Sequence, residues 1–382
     1  MTELHKRFVL IGPGPTARGG IAQFNTHLAD ALAEAGADAI VLPLSPVYPS
    51  WTKPGRQAGV SPRPLPAGVR LAASRLVAWR PWTWWRASRE LARLRPAAVV
   101  LQWWHPMFAP AYAVIAMVAR RRGSQVLFVC HNAEPHERFL FARALTALAL
   151  NRADALLVLS KAVEEAVSNR LPAKRVIRLS HPPYTGFLRE EDPSAEKQWQ
   201  DRIGADGRAV VLFFGNVRRY KGLGDLISAF PAVSESTPAL LVVAGKFFES
   251  QDEYRRQVAD LGLEADVKLF PGYVPDHEVA GLFRASDLIV LPYRAGSQTG
   301  IAPLAAALGK PVVSTEAGGI SEAMPAARVA PVGDPAGLAR AILDSLRDPN
   351  PAASPPGTWE EWARTICSLG ATEPSRDARE AP

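Results

Sequence analysis

The chain has 382 residues, enough for two domains at about 100–200 residues each, and its 48% hydrophobic and 21% charged content excludes an intrinsically disordered chain. With only Cys130 and Cys367, no disulfide framework or cysteine zinc cluster is indicated. The net charge is +7, and Arg63 to Pro96 alone holds eight arginines against one glutamate, an excess as large as that of the whole chain. Charge concentrated in this way points to an anionic surface or substrate.

The chain starts MTELHKR and runs into an apolar strand, Phe8 to Ile11, with no signal-peptide pattern before it, so a cytoplasmic protein is expected. A glycine-rich loop follows, and Gly19-Gly20 opens a helix whose apolar face is Ile21, Phe24, Leu28, Ala31 and Leu32. Amides at that helix start suit an anion. The Gly12-x-Gly14-x-x-Ala17 spacing is close to a dinucleotide fingerprint, but the second strand, Ala39 to Leu44, ends without the acid that a ribose needs. Ser45 to Pro66 reads as a long loop.

From Arg70 to Arg95, Trp79, Trp82, Trp84 and Trp85 lie among arginines, a composition that suits an anionic membrane surface. The competing reading is a helical pair with tryptophans inward and arginines solvated; Pro81 interrupts any single long helix. No nucleic-acid module accompanies the segment, so no nucleic-acid partner is expected. Val99 to Ala119 is the longest apolar region, but Gln102, His105, Pro106 and Pro110 break it into a strand and a helix rather than a membrane span.

Gln125 to Cys130 is a further strand, and its end carries His131-Asn132-Ala133-Glu134-Pro135-His136-Glu137. Ligands of open α/β sheets gather beyond strand C-termini, which marks His131 as a functional candidate. His131 and His136 are five apart with Pro135 between them, so the helical zinc pattern does not fit and no metal is expected. Ala155–Leu159 and Val176–Leu179 read as strands, and Glu190 to Gly207 as a polar linker with some helix.

The second half repeats the pattern. A strand from Ala209 to Phe214 runs into GNVRRYKG, Gly215 to Gly222, where Arg218 and Lys221 would meet a phosphate beside a glycine turn. Strands at Ala239–Ala244 and Asp266–Phe270 follow, each ending in glycine. Leu288–Leu291 leads through a polar loop holding Gln298, Thr299 and Gly300 into a helix from Ile301 to Leu308, and Val312–Thr315 ends at Gly318-Gly319. Helix-start amides near Thr299-Gly300 would face an anion. The alternation predicts an α/β protein with two doubly wound parallel sheets facing each other. After a Pro-rich break at Pro349–Gly357, Trp359 to Leu369 reads as a helix and the charged tail from Ala371 as disordered.

The ordered set of motifs resembles the retaining glycosyltransferases of the GT-B fold, family 4, over most of Phe8 to Leu369. The motifs are Gly19-Gly20, HNAEPHE, FFGNVRRYKG, SDLIVLPY and SQTGIAPLAAALGKPVVSTEAGGISE. The resemblance implies two Rossmann-like domains facing across a cleft. Residues 1–185 would form the acceptor-side domain, 186–207 the linker and 208–355 the nucleotide-sugar domain. Residues 356–370 would form a helix crossing back, before the tail at 371–382. It implies Gly19 and Gly20 in the acceptor and phosphate loop, and His131 beside the donor sugar. Arg218 and Lys221 would neutralise the donor pyrophosphate. Gly215, Asn216, Gln298, Thr299, Gly300, Ile301, Gly319 and Glu322 would contact the donor. Two glutamates common in the family would fall at Gly296 and Leu304, and neither is acidic. The expectation is a metal-independent, cofactor-free transferase taking a nucleotide-diphosphate sugar to a lipid-linked or saccharide acceptor, peripheral to a membrane. The alternative is a non-catalytic sugar- or nucleotide-binding partner subunit.

Overall fold

A computed structural model of the chain describes residues 6–51, 65–132, 141–184, 186–189, 192–296, 299–317, 319, 327–350 and 357–372. The chain divides into two units, Met1–Leu179 with Gly357–Pro382, and Ser180–Pro356.

The first unit is built on β1 (Arg7–Gly12), β2 (Asp38–Pro43), β3 (Val69–Leu71), β4 (Ala98–Trp103), β5 (Gln125–Cys130), β6 (Ala155–Val158) and β7 (Val176–Arg178). These strands are parallel, in the order β3-β2-β1-β4-β5-β6-β7. The sheet carries α1 (Gly20–Glu34), α2 (Pro81–Leu94), α3 (Ala109–Arg121), α4 (Ala142–Leu150) and α5 (Lys161–Arg170). Helices cover both faces of such a sheet, which is why its central strands read as unbroken apolar runs: Phe8 to Ile11 and Val126 to Cys130 are fully buried. The order reverses between β1 and β4, so the loops after them flank a topological switch point.

The second unit opens with α6 (Gly186–Arg189) and α7 (Ala195–Ile203) and continues β8 (Ala209–Phe214), α8 (Leu223–Ser236), β9 (Ala239–Gly245), α9 (Gln251–Asp260), β10 (Val267–Pro271) and α10 (Asp276–Arg284). It ends with β11 (Leu288–Leu291), α11 (Ile301–Ala307), β12 (Val312–Thr315), β13 (Arg328–Ala330) and α12 (Pro335–Arg347). Its parallel sheet has the order β10-β9-β8-β11-β12-β13, with the switch point between β8 and β11. The segment expected as a linker packs into this unit instead. Trp199 of α7 is buried, edge-on to Phe270 at 5.3 Å, and the Arg202 guanidinium covers its ring at 3.9 Å. Gly281 lets α7 approach α10: a Cβ there would lie 2.6 Å from that of Ala195.

The last helix, α13 (Trp359–Leu369), belongs to the first unit and packs on α1. Trp362 is fully buried, and Trp359 and Trp362 each sit 5.0 Å from the Phe24 ring. The tail from residue 373 onward lies outside the described residues.

Candidate functional site

In the second unit the loop after β8 and the loop after β11 are tied together at the switch point. The Tyr220 carbonyl accepts from the amides of Arg294 (2.7 Å) and Ala295 (3.3 Å). Arg294 in turn makes a two-pronged ion pair with Asp225 of α8, at 2.6 and 2.5 Å, and that carboxylate raises the Arg294 pKa. The Thr315 hydroxyl donates to the Tyr293 carbonyl. These contacts hold Lys221 half-buried beside Gly215 and Ile301. A Cβ on Gly215 would lie 3.3 Å from both the Lys221 Nζ and the Ile301 Cδ1, so the three expected site residues meet at one spot. The ammonium lies 5.1 Å from the centre of the Tyr293 ring.

Burial lowers the Lys221 pKa, the Arg218 charge lowers it further, and Tyr220 opposes the shift. Arg218 stacks on Phe248 at 4.2 Å, and Lys246 approaches the same ring at 5.4 Å. Among the described residues no carboxylate is within ion-pair range of Arg218 or Lys221. Two adjacent cations without an acid suit a polyanion, whose oxygens would offset their mutual repulsion. Asn216 is exposed on the same loop.

At the start of α11, the Thr299 Oγ1 accepts the Ile301 amide at 3.2 Å and lies 3.4 Å from the Tyr293 hydroxyl. The Ile301 amide, expected to face an anion, therefore already has a partner. Burial pushes the Tyr293 pKa up to about 12, which keeps the phenol neutral. Gly300 is required here because a Cβ would overlap the Tyr184 ring. Gly319 is buried; Gln298 and Glu322 lie outside the described residues. Leu304 is buried within α11.

In the first unit His131 sits just past β5, 4% exposed, with its amide donating to the Trp103 carbonyl at 2.8 Å. A buried chain of side chains sets its tautomer. The Pro13 carbonyl can only accept, so Asn25 Nδ2 donates to it (3.1 Å) and Asn25 Oδ1 accepts from Gln102 Nε2 (3.1 Å). Gln102 Oε1 is then left to accept from the protonated Nε2 of His131 at 2.7 Å. In the neutral form of the ring this hydrogen-bond assignment puts the proton on Nε2. Gly12 makes room for the relay, since a Cβ there would lie 2.6 Å from the Gln102 Cγ. At Gly19, φ +123°, an added Cβ would meet nothing within 4 Å.

The relay formed by Gln102 and Asn25 is not legible in the sequence, where Gln102 only interrupts an apolar run. The available signal was a polar residue inside an apolar strand next to the switch point. Replacing Gln102 with leucine would strand the His131 N–H and the Asn25 oxygen in the core. The expected cost is about 1–3 kcal/mol, read as a lower urea midpoint; an unchanged midpoint would contradict the relay.

The Arg70–Arg95 segment is not a helical pair. It runs from β3 through a connection into α2, with Pro81 in the first turn of that helix. The tryptophans divide: Trp84 donates to the Val77 carbonyl at 2.9 Å and packs with Trp79 on the core, whereas Trp82 and Trp85 are each 59% exposed.

Two Rossmann-like parallel-sheet units, the second with a cationic glycine loop at its switch point, are the architecture of the GT-B class. Residues 18–182 match the family described as Glycosyltransferase Family 4, and residues 208–348 match Glycosyl transferases group 1. The chain belongs to the family 4-like GT-B glycosyltransferases. It is 27% identical over 360 residues to the 2-deoxystreptamine N-acetyl-D-glucosaminyltransferase of Streptomyces fradiae, covering 87% of this chain and 83% of that one. Against the mannosylfructose-phosphate synthase of Agrobacterium fabrum it is 35% identical over 146 residues, 36% of this chain and 31% of that protein, so it spans about a third of that relative. Among solved structures, Anabaena HepE in complex with UDP-glucose is similar at a TM-score of 0.68, with 17% identity over 96% of this chain and 97% of that one. The α,α-trehalose-phosphate synthase (UDP-forming) of Burkholderia xenovorans is similar at 0.69, with 13% identity over 96% and 100% of the two chains.

Proposed function

We propose that the chain transfers a sugar from a nucleotide-diphosphate donor to an acceptor hydroxyl, with retention at the anomeric carbon. The observation that carries this is Lys221, held half-buried against Gly215 beside Arg218 with no acid in range among the described residues. When the bond from the anomeric carbon to the diphosphate breaks, the diphosphate leaves with the electron pair. Arg218 and Lys221 oppose the charge that develops on it, through groups fixed before the reaction begins. Two fixed cations supply what a divalent ion would otherwise supply, so the reaction is expected to persist in chelator. The solved relatives carry UDP and UDP-glucose, which makes a UDP-hexose the first donor to test.

His131, with its tautomer set by Gln102, is assigned to sugar hydroxyls, and the Gly19-Gly20 start of α1 to the acceptor side. The exposed Trp82 and Trp85 among arginines support a lipid-linked or membrane-presented acceptor, and with it a place in polysaccharide or glycoconjugate synthesis.

The test is turnover of a UDP-hexose panel with polyprenyl-phosphate-linked and free saccharide acceptors, in chelator, with the product anomer read by NMR. A product with the donor's anomeric configuration is expected. An inverted product would overturn the stereochemical assignment. Failure of the folded protein to turn over any donor would favour the non-catalytic alternative, which the absent acids at Gly296 and Leu304 keep in play.

A further inference from the structure

We infer that the groove between the ends of α2 and α3 is a seat for the phosphate of an anionic phospholipid; this rests on the membrane-presented reading above. The groove has a volume of about 640 Å³ and is lined by Arg89, Ala92, Arg93, Arg95 and Arg122. Arg122 lies outside the arginine-rich stretch of the sequence and is brought in by the fold. Two of the arginines are fixed at helix ends. Arg95 closes α2 in the left-handed region (φ 42°), its amide donating to the Leu91 carbonyl at 3.1 Å; Arg122 follows α3, its amide donating to Ala119 at 3.0 Å.

The acids nearby are committed elsewhere. Glu90, the acid of α2, accepts from the amides of Ala73 and Ser74 at 2.7 Å each, and Asp154 pairs with Arg120 at 2.7 Å. Among the described residues none of the four groove arginines has a carboxylate partner. Four crowded guanidiniums, each a rigid fork of donors, fit phosphate oxygens better than they fit one another.

A second observation selects lipid over free phosphate. At 3.6 residues per turn, Trp82, Trp85, Arg86, Arg89, Ala92 and Arg93 share one arc of ~120° on α2. The two tryptophans on it are 59% exposed, and the Arg89 guanidinium stacks 4.6 Å from the Trp85 ring. A soluble phosphate would leave those rings in water, whereas a lipid headgroup brings an interface into which they insert. The groove lies where α2 and α3 lead into the N-terminal ends of β4 and β5, and His131 follows the C-terminal end of β5, so it is separate from that site.

The test is flotation of the full chain with phosphatidylcholine vesicles, with and without phosphatidylglycerol. Wild type is expected to float only with the anionic vesicles. The triple variant Arg89→Gln, Arg93→Gln, Arg122→Gln should partition on the order of 100-fold more weakly. A control triple, Arg75→Gln, Arg121→Gln, Arg255→Gln, removes the same charge away from both the groove and the arc and should lose far less. Equal loss in both triples, or none in the groove triple, would overturn the seat while leaving the membrane reading standing. Failure of wild type to float would overturn both. Saturable calorimetric binding of inorganic phosphate, lost in the groove triple, would assign a soluble phosphate ligand instead.

Discussion

Replacing Lys221 with methionine is expected to lower kcat/KM by about 10²–10³-fold with the fold intact, the range for removing one fixed group that stabilises developing negative charge. The side chain sits against Gly215 and Ile301, and methionine preserves its apolar contacts while deleting the ammonium. The sign of the accompanying stability change follows from the pKa. Burial lowers the Lys221 pKa in the folded protein, so between the folded and unfolded values the unfolded chain binds more protons and stability rises with pH. Below that window the folded protein carries a charge that it holds at a cost. Lys221→Met should therefore be at least as stable as wild type at neutral pH and lose this alkaline gain. A bound diphosphate reverses the preference, because it favours the charged ammonium. Nucleotide affinity in wild type should thus fall as pH rises through the depressed pKa, earlier than for an exposed lysine, while Lys221→Arg should hold its affinity. Steady-state kinetics and calorimetry across pH check both parts. Wild-type kcat/KM in Lys221→Met would contradict the role.

Alanine at Gly222 should destabilise by ~4 kcal/mol or more, in the range reserved for forced backbone displacement. Gly222 sits at φ +70°, and a Cβ there would overlap the Pro292 carbonyl. Gly262 is the control: φ is +66° and a Cβ would meet nothing within 4 Å. Gly262→Ala bears only the left-handed penalty of roughly 1–2 kcal/mol. The excess at Gly222 measures how tightly the two loops are pressed together. To relieve it, the loop after β8 must draw away from Pro292, which breaks the contacts of the Tyr220 carbonyl with Arg294 and Ala295 and moves Lys221. Gly222→Ala should therefore also lose nucleotide binding, and Gly262→Ala should keep it. Equal urea midpoints for the two variants would contradict the contact.

Most of the framework was legible because a parallel sheet covered on both faces writes each central strand as an apolar run. β3 and β13 were not legible. They are three-residue edge strands without such a run, and β3 is held from its side by Arg70 on Asp38 at 2.5 Å. The polar composition of 186–207 concealed one buried ring, Trp199, whose cover is the charged side chain of Arg202. Lys221, Gly215 and His131 could be found because glycine turns and strand ends mark positions locally. Their supports could not. Gln102 lies 29 residues from His131 and 77 from Asn25, and Tyr293 reaches Lys221 from a different loop. The tryptophans of α2 were ambiguous for another reason. Pro81 in the first turn fixes where the helix begins, and the resulting phase turns Trp84 inward and Trp82 and Trp85 outward.

The most direct test is calorimetric titration of the full chain with uridine, guanosine, adenosine and thymidine diphosphates in chelator, repeated on Lys221→Met. Saturable binding of one base class is expected, weakened by about ten- to a hundredfold in the variant, the loss expected for a charge-assisted contact. A folded wild-type protein that binds none of the four, or a variant that binds as tightly as wild type, would contradict it.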